Sequence, residues 1–287
     1  MKEQLINRFR GYRRHPLSLF LFIATSLSAL ITFCVLIFLV AYILINGIPH
    51  LTASLFSWKY TTDNQSLMPA LINTISITLL SLLMAVPLGI ASAIYLTEYA
   101  NKKSRIVSLI SMTAETLSGI PSIVYGLFGN LFFLTALGWG YSLISGACTL
   151  AIMILPLVIR TTQEALVSVP MTYREGSFGL GAGKLRTIFR VVLPSAVPGI
   201  LSGIILSIGR IVGETAALIF TAGSVPKLAT GLLSGGRTLA VHMYVLSGEG
   251  LYFDQAYATA VILLVIVLLI NLLSTRIANR LTRGQRN

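Results

Sequence analysis

The sequence predicts an all-α, polytopic membrane protein: six transmembrane helices joined by loops, one of which is long, structured and cytoplasmic. Three observations carry that expectation. The 287-residue chain is 55% hydrophobic with a mean hydropathy of +0.84. Only 10% of its residues are charged, where a soluble domain carries about 25%. Its apolar residues fall into runs of roughly 20, the length a bilayer demands of a helix.

In chain order, the basic segment 1–16, with Lys2, Arg8, Arg10, Arg13 and Arg14, precedes a first apolar run at 17–45. That run is far longer than a signal-peptide core of about 7 to 15 residues and lacks a small-residue cleavage site at its end, so it is expected to persist as the first span. Further spans are expected near 70–96, 106–137, 141–159, 197–221 and 256–275. Alternate loops then hold 17 Lys and Arg against 3, and Arg210 inside the fifth span completes the 21. The positive-inside rule places both termini, the loop 160–196 and the tail 276–287 in the cytoplasm. The net charge of +12 is thereby explained as topology, with anionic lipid contact at the tail, and nucleic acid is excluded as a partner. On the outer side, Trp58 and Tyr60 read as interfacial anchors, and 238–246, TLAVHMYVL, as a short helix lying at the interface or facing a partner.

The chemistry available to such a chain is narrow. Cys34 and Cys148 lie in apolar runs and His15, His50 and His242 are scattered, so neither a disulfide framework nor a metal site is indicated. The run GLGAGK at 179–184 suggests a phosphate-cradling loop, but the spacing is one residue short, Leu185 replaces the required hydroxyl, and no strand precedes it.

Two stretches stand out from the apolar background. The first, Arg174 to Pro194, is the least membrane-like long piece of the chain. It offers two helix-compatible runs, 162–178 and 184–192, parted by Gly179, Gly181 and Gly183, and the second run is expected to end at Pro194. The second stretch holds Arg210 and Glu214. In a continuous span 197–221 Arg210 lies about 20 Å from the cytoplasmic end, and at i and i+4 the two side chains share a helix face. Charges at that depth must look into the bundle or a wet pathway, as a substrate site or as a structural ion pair. In span three, Gly119 and Pro121 can break the helix and expose backbone donors beside Ser118 and Ser122. Glu115 is expected to pair with a basic residue near the cytoplasmic side, Arg160 to serve as an inside anchor, and Asn73, Asn130 and Asn271 to bridge helices.

Glu175, Gly176, Ser177, Gly181, Val191, Leu193 and Pro194 stand in the register of E-A-A-x3-G-x9-I-x-L-P, and this loop resembles the coupling loop of bacterial ABC importer permeases. Gly-Ser replaces Ala-Ala and Val replaces Ile, which keeps size. The resemblance implies a membrane subunit without ATPase activity, whose loop docks on a separate ATPase that carries the ATP and magnesium, so that this chain binds no cofactor of its own. Gly209 to Ala216, with Arg210, Glu214 and Thr215, resembles a segment of the phosphate-importer permeases and is closer to the PstA type, where Ala follows Thr. Ser118 to Gly126 resembles the same permeases. The implied complex holds a second permease of PstC type, a PstB-type ATPase dimer and an extracytoplasmic PstS-type phosphate-binding protein, in a bacterial or archaeal cytoplasmic membrane. The implied route for phosphate runs past Arg210, Glu214, Thr215, Ser118 and Ser122, with Glu214 steadying the guanidinium. Rival readings are a PstC-type subunit, a permease for molybdate or sulfate, a stand-alone secondary transporter, and a membrane enzyme. The last two are disfavoured by the lack of internal repeats and of a nucleophile-base pair.

Overall fold

In a chain this apolar, main-chain N–H and C=O groups have little water to bond, and helices satisfy them locally. The computed structural model describes residues 16–101 and 105–283, and every regular element among them is helical. In order these are α1 (Pro16–Gly47), α2 (Met68–Ile94, continued by a π-helical turn Tyr95–Tyr99), α3 (Arg105–Ser118), α4 (Ser122–Gly129, running on as a π-helical Asn130–Ala136) and α5 (Leu143–Val167). There follow α6 (Met171–Gly179), α7 (Lys184–Thr187), a π-helical turn Ile188–Val192, α8 (Leu193–Val212), α9 (Ala216–Thr221), α10 (Leu239–Glu249) and α11 (Phe253–Arg283). Five described helical stretches are long and apolar enough to cross a bilayer, and α3 with the α4 run makes a sixth that bends by 100°. The expected basic groups Lys2 to Arg14, Lys102, Lys103 and Arg286 lie outside the described residues.

Helix α5 is the centre of the bundle. Ser142 caps it, its hydroxyl accepting the Ser145 N–H, and α2, α8, α3 and α4 pack around it. Glycines bring these backbones together: a Cβ on Gly89 of α2 would sit 2.6 Å from Val158, and one on Gly203 of α8 only 2.1 Å from Thr161. Ile77, Leu150, Met153, Ile154, Ile211, Leu218 and Val241 form the main core around α5. A second core, with Ile94, Leu166, Ile188, Val192 and Ile200, sits at the end that carries α6 and α7. By contrast α1 is apolar on all sides and largely uncovered, touching α11 near its end, where Gly47 abuts the Tyr257 backbone. An all-apolar helix with no protein cover suits lipid.

Four sequence expectations need correction. The fifth span is not one helix over 197–221: it runs unbroken from Lys184 to Val212, stops, and restarts as α9. Pro194 does not end the run before it. Proline lacks an N–H to donate, which is tolerated in the first turn of a helix, and here Pro194 occupies that position in α8, directly after the π-helical turn. Segment 238–246 does not lie loose on the surface; Leu239, Ala240, Val241, His242 and Leu246 of α10 are all buried, against α11 and α2. Tyr60 is no anchor either, because its ring lies under the Arg237 guanidinium at 5.0 Å and edge-on to His242 at 6.4 Å. Trp58 remains exposed at 69%.

Helix α4 meets α9 so closely that a Cβ on Gly126 would lie 2.8 Å from the Ala217 Cα. Because the obstacle is backbone, Gly126→Ala should destabilise the chain by about 1–3 kcal/mol through overpacking. Gly209→Ala, which meets nothing within 4 Å, should be neutral or slightly stabilising. Melting of the two purified variants in one detergent tests the contrast; equal melting temperatures would contradict it.

Candidate functional site

Two helix breaks face each other in the bundle. At the first, α3 ends with Gly119 and Ile120 donating back to Thr116 (3.1 Å) and Leu117 (3.1 Å), and the Tyr125 hydroxyl donates to the Leu117 carbonyl (2.8 Å). Pro121 then starts α4 in a new direction. At the second, α8 ends with Gly213 and Glu214 donating to Gly209 (3.3 Å) and Ile211 (3.1 Å), and Glu214 Oε1 accepts the Ala217 N–H (3.0 Å) at the start of α9. Helices α4 and α9 pack on one another, and Asn130 ties them by donating to the Phe220 carbonyl at 2.9 Å. The two stretches that stand out in the sequence, 118–126 and 209–216, are therefore one structural unit.

Within it the expected residues take distinct places. Arg210 is half-buried in the last turn of α8, where a cation meets the negative end of the helix dipole. Among the described residues it forms no ion pair with Glu214. The i, i+4 geometry fails because the helix stops between the two, and the buried Glu214 carboxylate serves the positive end of α9 instead. Thr215 precedes α9 as its N-cap residue. Ser118 donates to the Glu115 carbonyl of its own helix at 2.7 Å, while the half-buried Ser122 opens α4. The arrangement offers a guanidinium that no described carboxylate neutralises, beside two interrupted backbones. Chemically it can attract an anion and supply it with planar N–H donors.

Flanking polar residues have more ordinary tasks. Glu115 pairs with Arg160 at 3.6 Å and Arg160 with Glu164 at 3.1 Å, all at exposed positions where such pairs contribute little. Asn73 bonds the backbone of Lys227 (2.9 Å), Arg237 (3.1 Å) and Ala229 (3.1 Å), so it holds a loop rather than a neighbouring helix. Among the described residues no three His, Cys, Asp or Glu side chains converge as metal ligands.

The other expected site is the hairpin of α6 and α7. Gly181 has a φ of +81°, the left-handed conformation glycine adopts at least cost. Gly181 and Ala182 donate back to Phe178 (2.9 Å) and Ser177 (3.1 Å), closing α6 with the paired bonds of a Schellman turn. Gly179 ends α6 and Gly183 precedes α7, so the hairpin bends at 180–183 and the first expected run is split at 168–170. Ser177 and Thr187 share a hydroxyl hydrogen bond at 2.9 Å that joins the two helices. Gly176, Ser177, Gly181 and Val191 line one pocket of about 520 Å³ together with Arg186 and Arg190. Glu175 stands exposed on α6, Leu193 packs against the second core, and Pro194 is half-buried at the start of α8.

A buried link fixes the hairpin to the bundle. Arg174 donates Nη1 to the Val169 carbonyl (2.9 Å) and Nη2 to both the Leu166 carbonyl (3.0 Å) and Glu98 Oε1 (2.7 Å). The two charged side chains are only 11% and 10% exposed. One guanidinium thus caps the end of α5, bonds the end of α2 and sits on α6. Sequence reasoning marks Arg174 only as the start of the polar stretch and does not single out Glu98, since nothing local connects residues 76 apart.

Comparison with known proteins places this geometry in context. Residues 85–287 match the family model described as binding-protein-dependent transport system inner membrane component. The chain is 35% identical over 284 residues to the probable ABC transporter permease protein YqgI of Bacillus subtilis, covering 90% of this chain and 95% of that protein. It is 36% identical over 206 residues to phosphate transport system permease protein PstA 1 of Mycobacterium tuberculosis, covering 71% of this chain and 66% of that protein. A chain of the inward-facing MetNI methionine ABC transporter shares the fold with a TM-score of 0.59 at 19% identity, over 75% of this chain and 94% of its own. A chain of the bacterial alginate ABC transporter does so with a TM-score of 0.59 at 17% identity, over 88% and 95%.

Removing one partner of a buried pair strands the other charge, so Arg174→Met alone should cost about 3–5 kcal/mol. Arg174→Met with Glu98→Leu should cost less than the two single changes added together. Chemical denaturation of the four proteins measures this, and strict additivity would show that the link has no energetic content.

Proposed function

Since the chain belongs to the binding-protein-dependent transport system inner membrane components, and within them to the ABC importer permeases of PstA type, we propose that its cargo is inorganic phosphate. It is a multi-pass membrane subunit, and ATP hydrolysis belongs to a separate chain. The observation that carries the phosphate reading is the Arg210 guanidinium, which has no ion-pair partner among the described residues and stands where two broken helices meet. The names of the PstA relatives support it.

In this reading phosphate is drawn by a fixed charge in a low-dielectric passage and held by the flat donor edge that suits tetrahedral oxyanions. The Glu214 carboxylate keeps α9 in place and, being negative and nearby, limits how tightly the anion is held. Ser122 and Thr215 supply hydroxyls beside the breaks. The hairpin α6–α7 docks on a cytoplasmic ATPase dimer of PstB type, with Arg186 and Arg190 facing the partner. A PstC-type permease supplies the second half of the pathway and an extracytoplasmic binding protein of PstS type delivers the ion. Both termini are cytoplasmic, as the loop charges require. A second reading, uptake of another oxyanion, is favoured by the same side chain, because guanidinium recognition serves sulfate and molybdate as well.

The test is labelled phosphate uptake normalised to assembled complex. Arg210→Met should abolish uptake while the complex assembles and hydrolyses ATP. Arg210→Lys keeps the charge without the fork and should retain partial uptake, reduced roughly tenfold to a hundredfold for the loss of about 1.5–3 kcal/mol. Excess sulfate or molybdate should not compete. Near-normal uptake by Arg210→Met would remove this residue from the pathway, and full competition by sulfate would move the cargo to the second reading.

A further inference from the structure

At the end of the bundle opposite the hairpin, a cluster of polar side chains is buried with several of its nitrogen and oxygen atoms unpartnered. Arg237 is 2% exposed, Thr238 2% and His242 0%. Arg237 Nε and Nη2, Thr238 Oγ1 and both ring nitrogens of His242 have no hydrogen-bond partner of good geometry among the described residues, although the Gln65 backbone faces the imidazole. Three such residues between positions 237 and 242 are not chance leftovers in a well-packed region, since a buried donor left unmade costs far more than a made bond gains. The surrounding backbone is otherwise satisfied: Asn73 bonds the Arg237 carbonyl, Thr74 accepts the Leu239 N–H at 2.9 Å, and the His242 N–H bonds Thr238 at 2.7 Å.

The chemistry of the cluster is lopsided. Burial holds Arg237 below the ordinary guanidinium range, and burial together with the Arg237 charge drives His242 down to about 3, so the imidazole is neutral while the guanidinium keeps the charge. No described carboxylate is paired with Arg237; Glu249 acts on it only through space. The Tyr60 ring stacks on the guanidinium but accepts neither Nε–H nor Nη2–H. Those two atoms form the guanidinium edge that binds two oxygens of one oxyanion side by side. Thr238 adds a hydroxyl and precedes the first turn of the eleven-residue α10, whose N-terminal end favours negative charge. The cover over the cluster is held by a strained turn: Tyr60 donates to Gln65 Oε1 at 2.6 Å, and Gln65 is the one non-glycine residue of positive φ, +41°, among the described residues.

We propose that Arg237, Thr238 and His242 form a binding site for one small inorganic oxyanion, closed over by Tyr60. This site is distinct from the Arg210 region and does not depend on what cargo the protein carries. A bound oxyanion would neutralise the guanidinium and accept from Nε–H, Nη2–H, the Thr238 hydroxyl and one imidazole N–H, which leaves only the second imidazole nitrogen, on the ring that the Gln65 backbone faces. Buried water alone would leave the charge uncompensated.

The experiment uses the full chain in lipid nanodiscs, in the Arg210→Met background so that the other candidate site is silent. Binding of labelled inorganic phosphate is measured by equilibrium dialysis, and melting temperature is followed against phosphate, sulfate and chloride at constant ionic strength with gluconate. The proposal expects saturable binding of one phosphate per chain, a melting temperature that rises with phosphate or sulfate to a plateau, and at least tenfold weaker binding in Arg237→Gln. Should Arg237→Gln fail to fold, Thr238→Val removes one donor with little change of shape and should weaken binding severalfold. The assignment is overturned by absence of saturable binding, which leaves buried water as the occupant; by binding unchanged in the variants; or by chloride matching phosphate in saturation, which makes the site a halide site.

Discussion

The constraint on which the structure most depends is that a polypeptide surrounded by apolar material must satisfy its own backbone. Most of this chain does so by being helical. Where it is not helical, at 119–121 and 213–215, the freed groups are met by short back-bonds, by the Tyr125 hydroxyl and by the Glu214 carboxylate. Beside these breaks α4 and α9 pack in contact, which needs the missing side chain of Gly126. Arg210 and Glu214 then acquire their separate positions at the end of one helix and the start of the next. An ion pair within one continuous helix would have left no free guanidinium; the break creates one.

The same constraint shapes the opposite task at the hairpin. Helix α5 ends near Val167 with carbonyls that need donors, and Arg174 supplies them from α6 while pairing with Glu98 at the end of α2. Through that link a load on α6 would reach α5 and α2 by bonds rather than through a loose loop. The left-handed Gly181 and the Ser177 to Thr187 bond make the hairpin itself one body.

How far these features were legible in the sequence follows from their range. Spans declare themselves because apolar length is a local property, and the break near Gly119 and Pro121 does so because those residues act on their own backbone. The break after Val212 carries no proline, and the four-residue spacing of Arg210 and Glu214 favours the helical reading that tertiary packing overrides. Pro194 misleads for the converse reason: its cost vanishes at the start of a helix, and the π-helical turn before it is not visible in residue types. Segment 238–246 has the composition of an interfacial helix, but its burial depends on α2, which arrives from distant sequence, and on how the next helix α11 folds back on it. The turn at Gly181 was legible as a glycine spacing, whereas Glu98, Arg237 and His242 matter only through neighbours brought to them by the fold.

The account stands or falls on whether the paired breaks border the route of the anion. The most direct measurement places a single cysteine at Ser122, the first residue of α4, with Cys34 and Cys148 replaced, and follows its reaction with a small hydrophilic thiol reagent in the assembled complex. The account predicts that this position reacts and that inorganic phosphate slows the reaction. A cysteine there that is inert, or that reacts at the same rate with and without phosphate, would contradict it.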